Sequence, residues 1–141
     1  MTLEEKRMIE RTIALEGGYV HDLDDPGGET KFGISKRSHP QVDIKKLTID
    51  EAVEIYYRNY LRPLNLPTTL PLEYRWKIFD IAVNQGPAQA VRIYNATKDN
   101  PEDYLRVVKL QMQRYVSIVQ ARPSSQKFLK GWTNRAFERL T

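Results

Sequence analysis

The 141 residues suffice for one hydrophobic core and are too few for two independent ones, and with no cysteine the chain excludes disulfides, thiolate zinc sites and thiol nucleophiles. Twenty-two Lys and Arg against eighteen Asp and Glu leave a net charge of +4 and a pI near 9.3, which favours a polyanionic partner: nucleic acid, an anionic cell wall or a membrane surface. No apolar run approaches the roughly eighteen residues that span a bilayer. The charged start Met1-Thr2-Leu3-Glu4-Glu5-Lys6 does not read as a signal peptide, so the expectation is synthesis into the cytosol.

Thr2 and Glu5 spell a capping box, and Leu3, Met8, Ile9, Ile13 and Leu15 recur at helical spacing until Gly17-Gly18, which predicts a first helix over residues 3–16. From 17 to 40 the pattern is short, polar and rich in turn formers. Its strand-like pieces are Tyr19-Val20 and Lys31-Phe32-Gly33-Ile34, and they predict a small irregular β-hairpin. Thr48 and Glu51 open a second helix to about Leu61, with Ala52, Val53, Tyr56, Tyr57 and Tyr60 on its apolar side and Pro63 as its stop. Residues 63–71 are a proline-punctuated linker, the one candidate boundary between lobes.

Pro71, at a first-turn position, starts a helix with Leu72, Trp76, Phe79 and Val83 at core spacing, and Gly86-Pro87 ends it. A shorter helix runs to about Thr97. Asn100-Pro101 then cap a long helix with Tyr104, Val108, Met112, Tyr115 and Val119 on one side, closed by Pro123. The last segment, 125–140, is expected to be one amphipathic helix with Phe128, Trp132, Ala136 and Leu140 on a single face and Lys127, Lys130, Arg135 and Arg139 around it. With no internal repeat and no low-complexity tract, the expected fold is mainly α, one domain over residues 1–141 with a small irregular β-hairpin insertion.

Chemistry concentrates in Glu16-Gly17-Gly18-Tyr19 and the carboxylates that follow, Asp22, Asp24 and Asp25, before Pro26-Gly27-Gly28. Glu16 stands where the chain leaves regular structure, and the next fifteen residues can fold back across it, a geometry suited to an acid in a cleft. The plainer readings are a solvated glutamate before a glycine cap and aspartates that only form turns. Asp80 and Asn84 lie four apart beside the Trp76 and Phe79 face, so both could project from the core edge toward a cleft or satisfy buried backbone near Gly86. His21 and His39 lack metal-ligand spacing, and Gly27-Gly28 lacks the strand and helix of a phosphate loop, so neither metal nor cofactor is expected. The positive charge is spread along the chain without a recognition-helix pattern, which argues against nucleic acid.

Glu16-Gly-Gly-Tyr19, then Asp25-Pro-Gly-Gly-x-Thr30 and Gly33-Ile34, then Phe79-Asp80-Ile-Ala-Val-Asn84-Gln-Gly86, in that order, resemble glycoside hydrolase family 108, the phage and bacterial N-acetylmuramidases. The stretch from Phe79 through Phe128-Leu-Lys-Gly-Trp132-x-Asn-Arg135 also resembles the peptidoglycan-binding region that follows this catalytic segment. The resemblance implies a lysozyme-like helical domain, with a catalytic part at about 3–85 containing the hairpin at 17–40, and a helical C-terminal part at about 86–141. It implies hydrolysis of the β-1,4 bond between N-acetylmuramic acid and N-acetylglucosamine by a monomeric endolysin, held in the host cytoplasm until a holin gives it access to the periplasm or wall.

Such a reaction needs a carboxylic acid that stays protonated near neutral pH, for which desolvation is the usual device, and a second group that supports positive charge or directs water. In that scheme Glu16 is the general acid, Asp25 or its neighbour Asp24 the partner carboxylate, and Thr30 the hydroxyl that fixes the water. Gly27 and Gly28 let backbone approach the sugar, Tyr19 serves as a stacking platform, and Asp80 and Asn84 line the cleft, Asn84 bonding an N-acetyl group. Two other readings remain at this point: a non-catalytic basic module that binds wall, and lysis aided by residues 125–140 contacting an anionic membrane.

Overall fold

The computed structural model describes residues 1–21 and 28–141. Helix α1, Leu3–Glu16, starts on the expected capping box: Thr2 Oγ1 accepts the Glu5 N–H at 3.1 Å, and Glu5 Oε2 accepts the Thr2 N–H at 2.7 Å. It buries Thr12 together with Met8, Ile9 and Ile13, and each of the last three contributes about 1.5–3 kcal/mol. Leu3, expected on that stripe, is exposed instead. At 100° per residue it points roughly 150° away from the centre of the buried face. Gly17, at φ 86°, takes the chain out of the helix through a backbone region that favours glycine.

A three-stranded antiparallel sheet follows, β1 Val20–His21, β2 Glu29–Lys31 and β3 Ile34–Ser35, in the order β1-β2-β3. Val20 and His21 face Thr30 and Glu29, and Thr30 and Lys31 face Ser35 and Ile34. Residues 31–34, read from sequence as one strand-like piece, bend into a two-residue turn at Phe32-Gly33. Both turn residues have positive φ, 53° and 78°, the twist that suits a tight hairpin.

A single 3₁₀ turn at Ile44–Lys46, too short to leave a periodic signal, leads into α2, Ile49–Tyr56, capped by Thr48 and Glu51 as expected. The second helix keeps its expected length but not its pitch: it widens into a π turn at Tyr57–Leu61 and tightens into a 3₁₀ turn at Arg62–Leu64. Pro63 therefore sits inside the last turn rather than after it, without the N–H that an α turn would use. Helix α1 packs on α2, and β2 lies against the turn at 44–46.

The chain divides into two compact units, Met1–Pro63 and Leu64–Thr141. The second is all helical among its described elements: α3 Leu72–Gln85, α4 Pro87–Thr97, α5 Tyr104–Ala121, a 3₁₀ stretch Pro123–Phe128 and α6 Leu129–Ala136. Pro71 is the cap of α3 rather than its first-turn residue. Residues 74–82 of that helix are all buried, including Arg75, Lys77 and Asp80, whereas Leu72 and Val83 are only half-buried. Helix α5 is capped by Asp103, whose Oδ1 accepts the Arg106 N–H at 3.2 Å; Asn100 and Pro101, the expected cap, lie in the preceding turn.

The single helix expected over 125–140 is also corrected. Pro123 opens a 3₁₀ stretch, α6 ends at Ala136, and Leu140 is buried beyond it with its N–H bonded to Glu73 Oε1 at 3.0 Å. The apolar clusters of this unit include one built on Tyr74, Ile78, Ile81 and Ala82 with Ala90, Ile93 and Val107, and another on Val108, Tyr115 and Ala136. Among the described residues no helix is long and apolar enough to cross a membrane.

Candidate active site

Glu16 is the last residue of α1 and half-buried. Its stem lies against the Phe32-Gly33 turn: a Cβ built on Gly33 would stand 2.9 Å from Glu16 Cγ and 3.1 Å from Glu16 Cβ, with the Tyr56 hydroxyl nearer still. Tyr56 is 1% exposed on α2 and donates that hydroxyl to the Phe32 carbonyl at 2.7 Å. The end of one helix, a hairpin turn and a buried tyrosine of a second helix thus meet around Gly33, beside the stem of the glutamate expected to be the acid. A groove of about 420 Å³, lined by Glu10, Ile13, Ala14, Gly17, Phe32 and Ile49, runs beside this junction.

Thr30 is half-buried in the middle of β2, between Val20 and Ser35, so the sheet that carries it also carries the turn packed on Glu16. Tyr19, just before β1, keeps 39% of its surface exposed and donates its hydroxyl to Glu29 Oε2 at 2.8 Å. The Glu29 hydrogen bond, then desolvation, raise its pKa above the usual phenol value. Gly28 adopts φ 69°, with no atom within 4 Å of a Cβ built there; its backbone conformation, rather than crowding, is what calls for glycine. Asp22, Asp24, Asp25 and Gly27 lie outside the described residues.

In the second unit Asp80 is enclosed by a side-chain partner. Its side chain is 0% exposed and locked by two bonds of 2.9 Å, Arg135 Nε to Oδ2 and Arg135 Nη2 to Oδ1. A carboxylate so enclosed neutralises a buried guanidinium and does not face a cleft. Asn84 is half-buried, and its Oδ1, the atom available to an N-acetyl N–H, already accepts the Tyr115 hydroxyl. Tyr115 in turn stacks on Trp132 with ring centres 5.0 Å apart. Both residues belong to a polar seam through the unit, which Gln85 joins by donating to the Gln111 carbonyl at 3.0 Å.

Lys77 extends that seam. It is 1% exposed, its Nζ donates to the Ala136 carbonyl at 2.5 Å, and burial, against the opposing pull of Asp80, lowers its pKa to about 8. Among the described residues no cluster of three or more His, Asp or Glu is placed to hold a metal ion.

The first unit is therefore where the catalytic expectations converge: Glu16, Thr30 and Tyr19 are tied through one small sheet. Sequence reading missed Tyr56, Gly33 and Glu29 as parts of this site. Tyr56 shares its apolar stripe with Ala52 and Val53 and reads as core, which it also is. The one available signal was Phe32-Gly33 itself, a glycine beside a bulky residue between two strand-like dipeptides.

Comparison with known proteins bears on what such a site belongs to. A family model described as Glycosyl hydrolase 108 matches residues 9–86. Among solved structures, that of SagA from Brucella abortus is similar, with a TM-score of 0.67 and 24% identity over 94% of this chain and 88% of that one. At that identity the likeness speaks to the fold, which is mainly α and lysozyme-like as expected. No curated protein matches.

Proposed function

The chain belongs to glycosyl hydrolase family 108, and on that premise we propose that it is an endolysin cutting the β-1,4 bond between N-acetylmuramic acid and N-acetylglucosamine. Membership makes it a glycoside hydrolase, and a peptidoglycan substrate is consistent with that membership. The observation that carries the finer reading is the seat of Glu16: a half-buried residue at a helix end, its stem against the hairpin turn that Tyr56 anchors.

In this mechanism Glu16 gives its proton to the bridging oxygen as the glycosidic bond breaks. The sugar left behind develops positive charge, which the carboxylate of Asp25 or Asp24 supports directly or by orienting water. The strands on either side of residues 22–27 are paired, with His21 opposite Glu29. Thr30, on the second of them, supplies the hydroxyl that holds the water. Tyr19, half free of the protein and tethered through its hydroxyl, offers its ring to a sugar face. The separation of the two carboxyl groups sets the stereochemistry: about 5–5.5 Å gives retention and about 6.5–9.5 Å inversion.

The enzyme acts as a monomer, and its positive charge draws it to an anionic wall. Release from the cytoplasm through a holin is part of the same proposal. Expression of the chain alone should leave a culture intact, and coexpression with a pore-forming holin should clear it. Lysis is assigned to hydrolysis rather than to the C-terminal segment because most of the apolar face of that segment is packed within the protein, with Phe128 still exposed. Ala136 and Leu140 are buried, and Trp132 stacks on Tyr115.

Mass spectrometry of digested wall tests the bond. Fragments ending in reducing muramic acid support the proposal, and fragments ending in reducing glucosamine overturn it.

A further inference from the structure

Tyr56 and Gly33 are absent from the reaction just described, yet they sit tightly packed beside Glu16. A side chain at Gly33 is excluded twice, by φ 78° and by the atoms that a Cβ would meet, Tyr56 Oη and Glu16 Cγ. Phe32, before it, holds φ 53°, which for a bulky side chain is strained and persists only where surroundings enforce it. What enforces it here is visible: the Tyr56 hydroxyl bonds the Phe32 carbonyl at 2.7 Å, and Lys31 Nζ lies 5.3 Å from the centre of the Phe32 ring. The turn is thereby pulled down onto the stem of Glu16.

We infer that Tyr56 and Gly33 form a clamp that seats the Phe32-Gly33 turn on Glu16 and so sets the direction of its carboxyl, making both of them positioning residues for glycosidic cleavage. The inference rests on the reading of Glu16 as the acid and adds what holds that acid in place. The clamp works by shape and by the hydrogen bond from Tyr56 to Phe32. With no Cβ at residue 33, the turn closes to contact distance; with the phenol anchored at 32, the turn stays there. A side chain with the flexibility of glutamate otherwise samples several rotamers, and only a fraction of them point at the scissile oxygen. Misplacement of a reacting group by an ångström costs on the order of a hundredfold in rate.

The test uses the full chain and a soluble glycan-strand substrate. Tyr56→Phe keeps the ring and removes the anchor. It should lower kcat by about tenfold to a hundredfold while KM stays within about twofold, with an unchanged circular dichroism spectrum. Gly33→Ala should lower kcat similarly, and its melting curve reports any loss of folding. To separate positioning from general weakening of the fold, Tyr56→Phe is repeated in a Glu16→Asp background, where the shortened acid is already misplaced. The second change should then cost far less than it does alone, because both act on the same carboxyl.

Full kcat in Tyr56→Phe, or an equal loss in both backgrounds, overturns the clamp. Glu16→Gln keeps the two ideas apart. If it retains activity, the acid assignment fails. If it is inactive while Tyr56→Phe turns over normally, only the clamp fails.

Discussion

Lys77 is an ammonium with 1% of its surface exposed, surrounded by Trp76 and Tyr104 at 5.8 and 5.7 Å from their ring centres and bonded to the Ala136 carbonyl. Its pKa is about 8 in the folded chain, mainly through desolvation, against an ordinary value of 10.5, so the unfolded chain holds the proton more tightly. Stability therefore falls as pH drops through about 8 and recovers as pH rises toward 10. Above that, the buried phenols of Tyr74 and Tyr115 and the half-buried one of Tyr104, raised chiefly by desolvation, act in the opposite direction. Thermal melts should show the midpoint rising between pH 8 and 10 in the wild type and flat in Lys77→Met. A rise of equal size in the variant would assign the effect elsewhere.

Asp80 makes a second prediction at this scale. Asp80→Asn leaves the Arg135 charge largely buried without its countercharge and should destabilise the fold by about 3–5 kcal/mol in denaturant titrations, with kcat of the still-folded fraction unchanged. Loss of kcat without loss of stability would return Asp80 to the substrate cleft. The two residues also mark what sequence reading cannot see. Asp80 looked like a cleft residue because Arg135 stands 55 positions away, and nothing local announces that the two meet.

Among the elements, those with local signals were legible. The capping boxes at Thr2 and Thr48 fixed the starts of α1 and α2, and the Gly17 exit fixed where Glu16 stands. Thr2→Ala removes one half of a reciprocal pair and should cost about 1 kcal/mol, read as a lower melting temperature; no change would mean the N-terminal turn is frayed in solution. The last helix was misread because Phe128, Trp132, Ala136 and Leu140 do keep a helical spacing. The chain satisfies that spacing by a 3₁₀ stretch, two turns of α6, and a tail pinned by Glu73 and Tyr104. That tail gives an outcome distinct from membrane disruption: the full chain should release no dye from anionic liposomes at concentrations that clear wall suspensions. Leakage at those concentrations would give the segment a role of its own.

For the whole molecule, sequence alone conveyed a mainly helical chain with Glu16 at the end of its first helix, just before a small sheet, because helix periodicity, caps and glycine exits are local. It did not convey the junction of α1, the 32–33 turn and α2, which exists only when segments 16, 33 and 56 fold together. The net charge of +4 acts at long range and weakly. Adsorption to wall should decline as salt shortens the screening length from about 30 Å at 0.01 M to about 8 Å at 0.15 M, while kcat on a soluble fragment stays constant. The central claim is chemical and is tested most directly by the rate at which Glu16→Gln clears purified wall. A loss of at least about a hundredfold, with the melting curve and wall adsorption of the wild type, is the predicted result; clearance within a few-fold of wild type would contradict it.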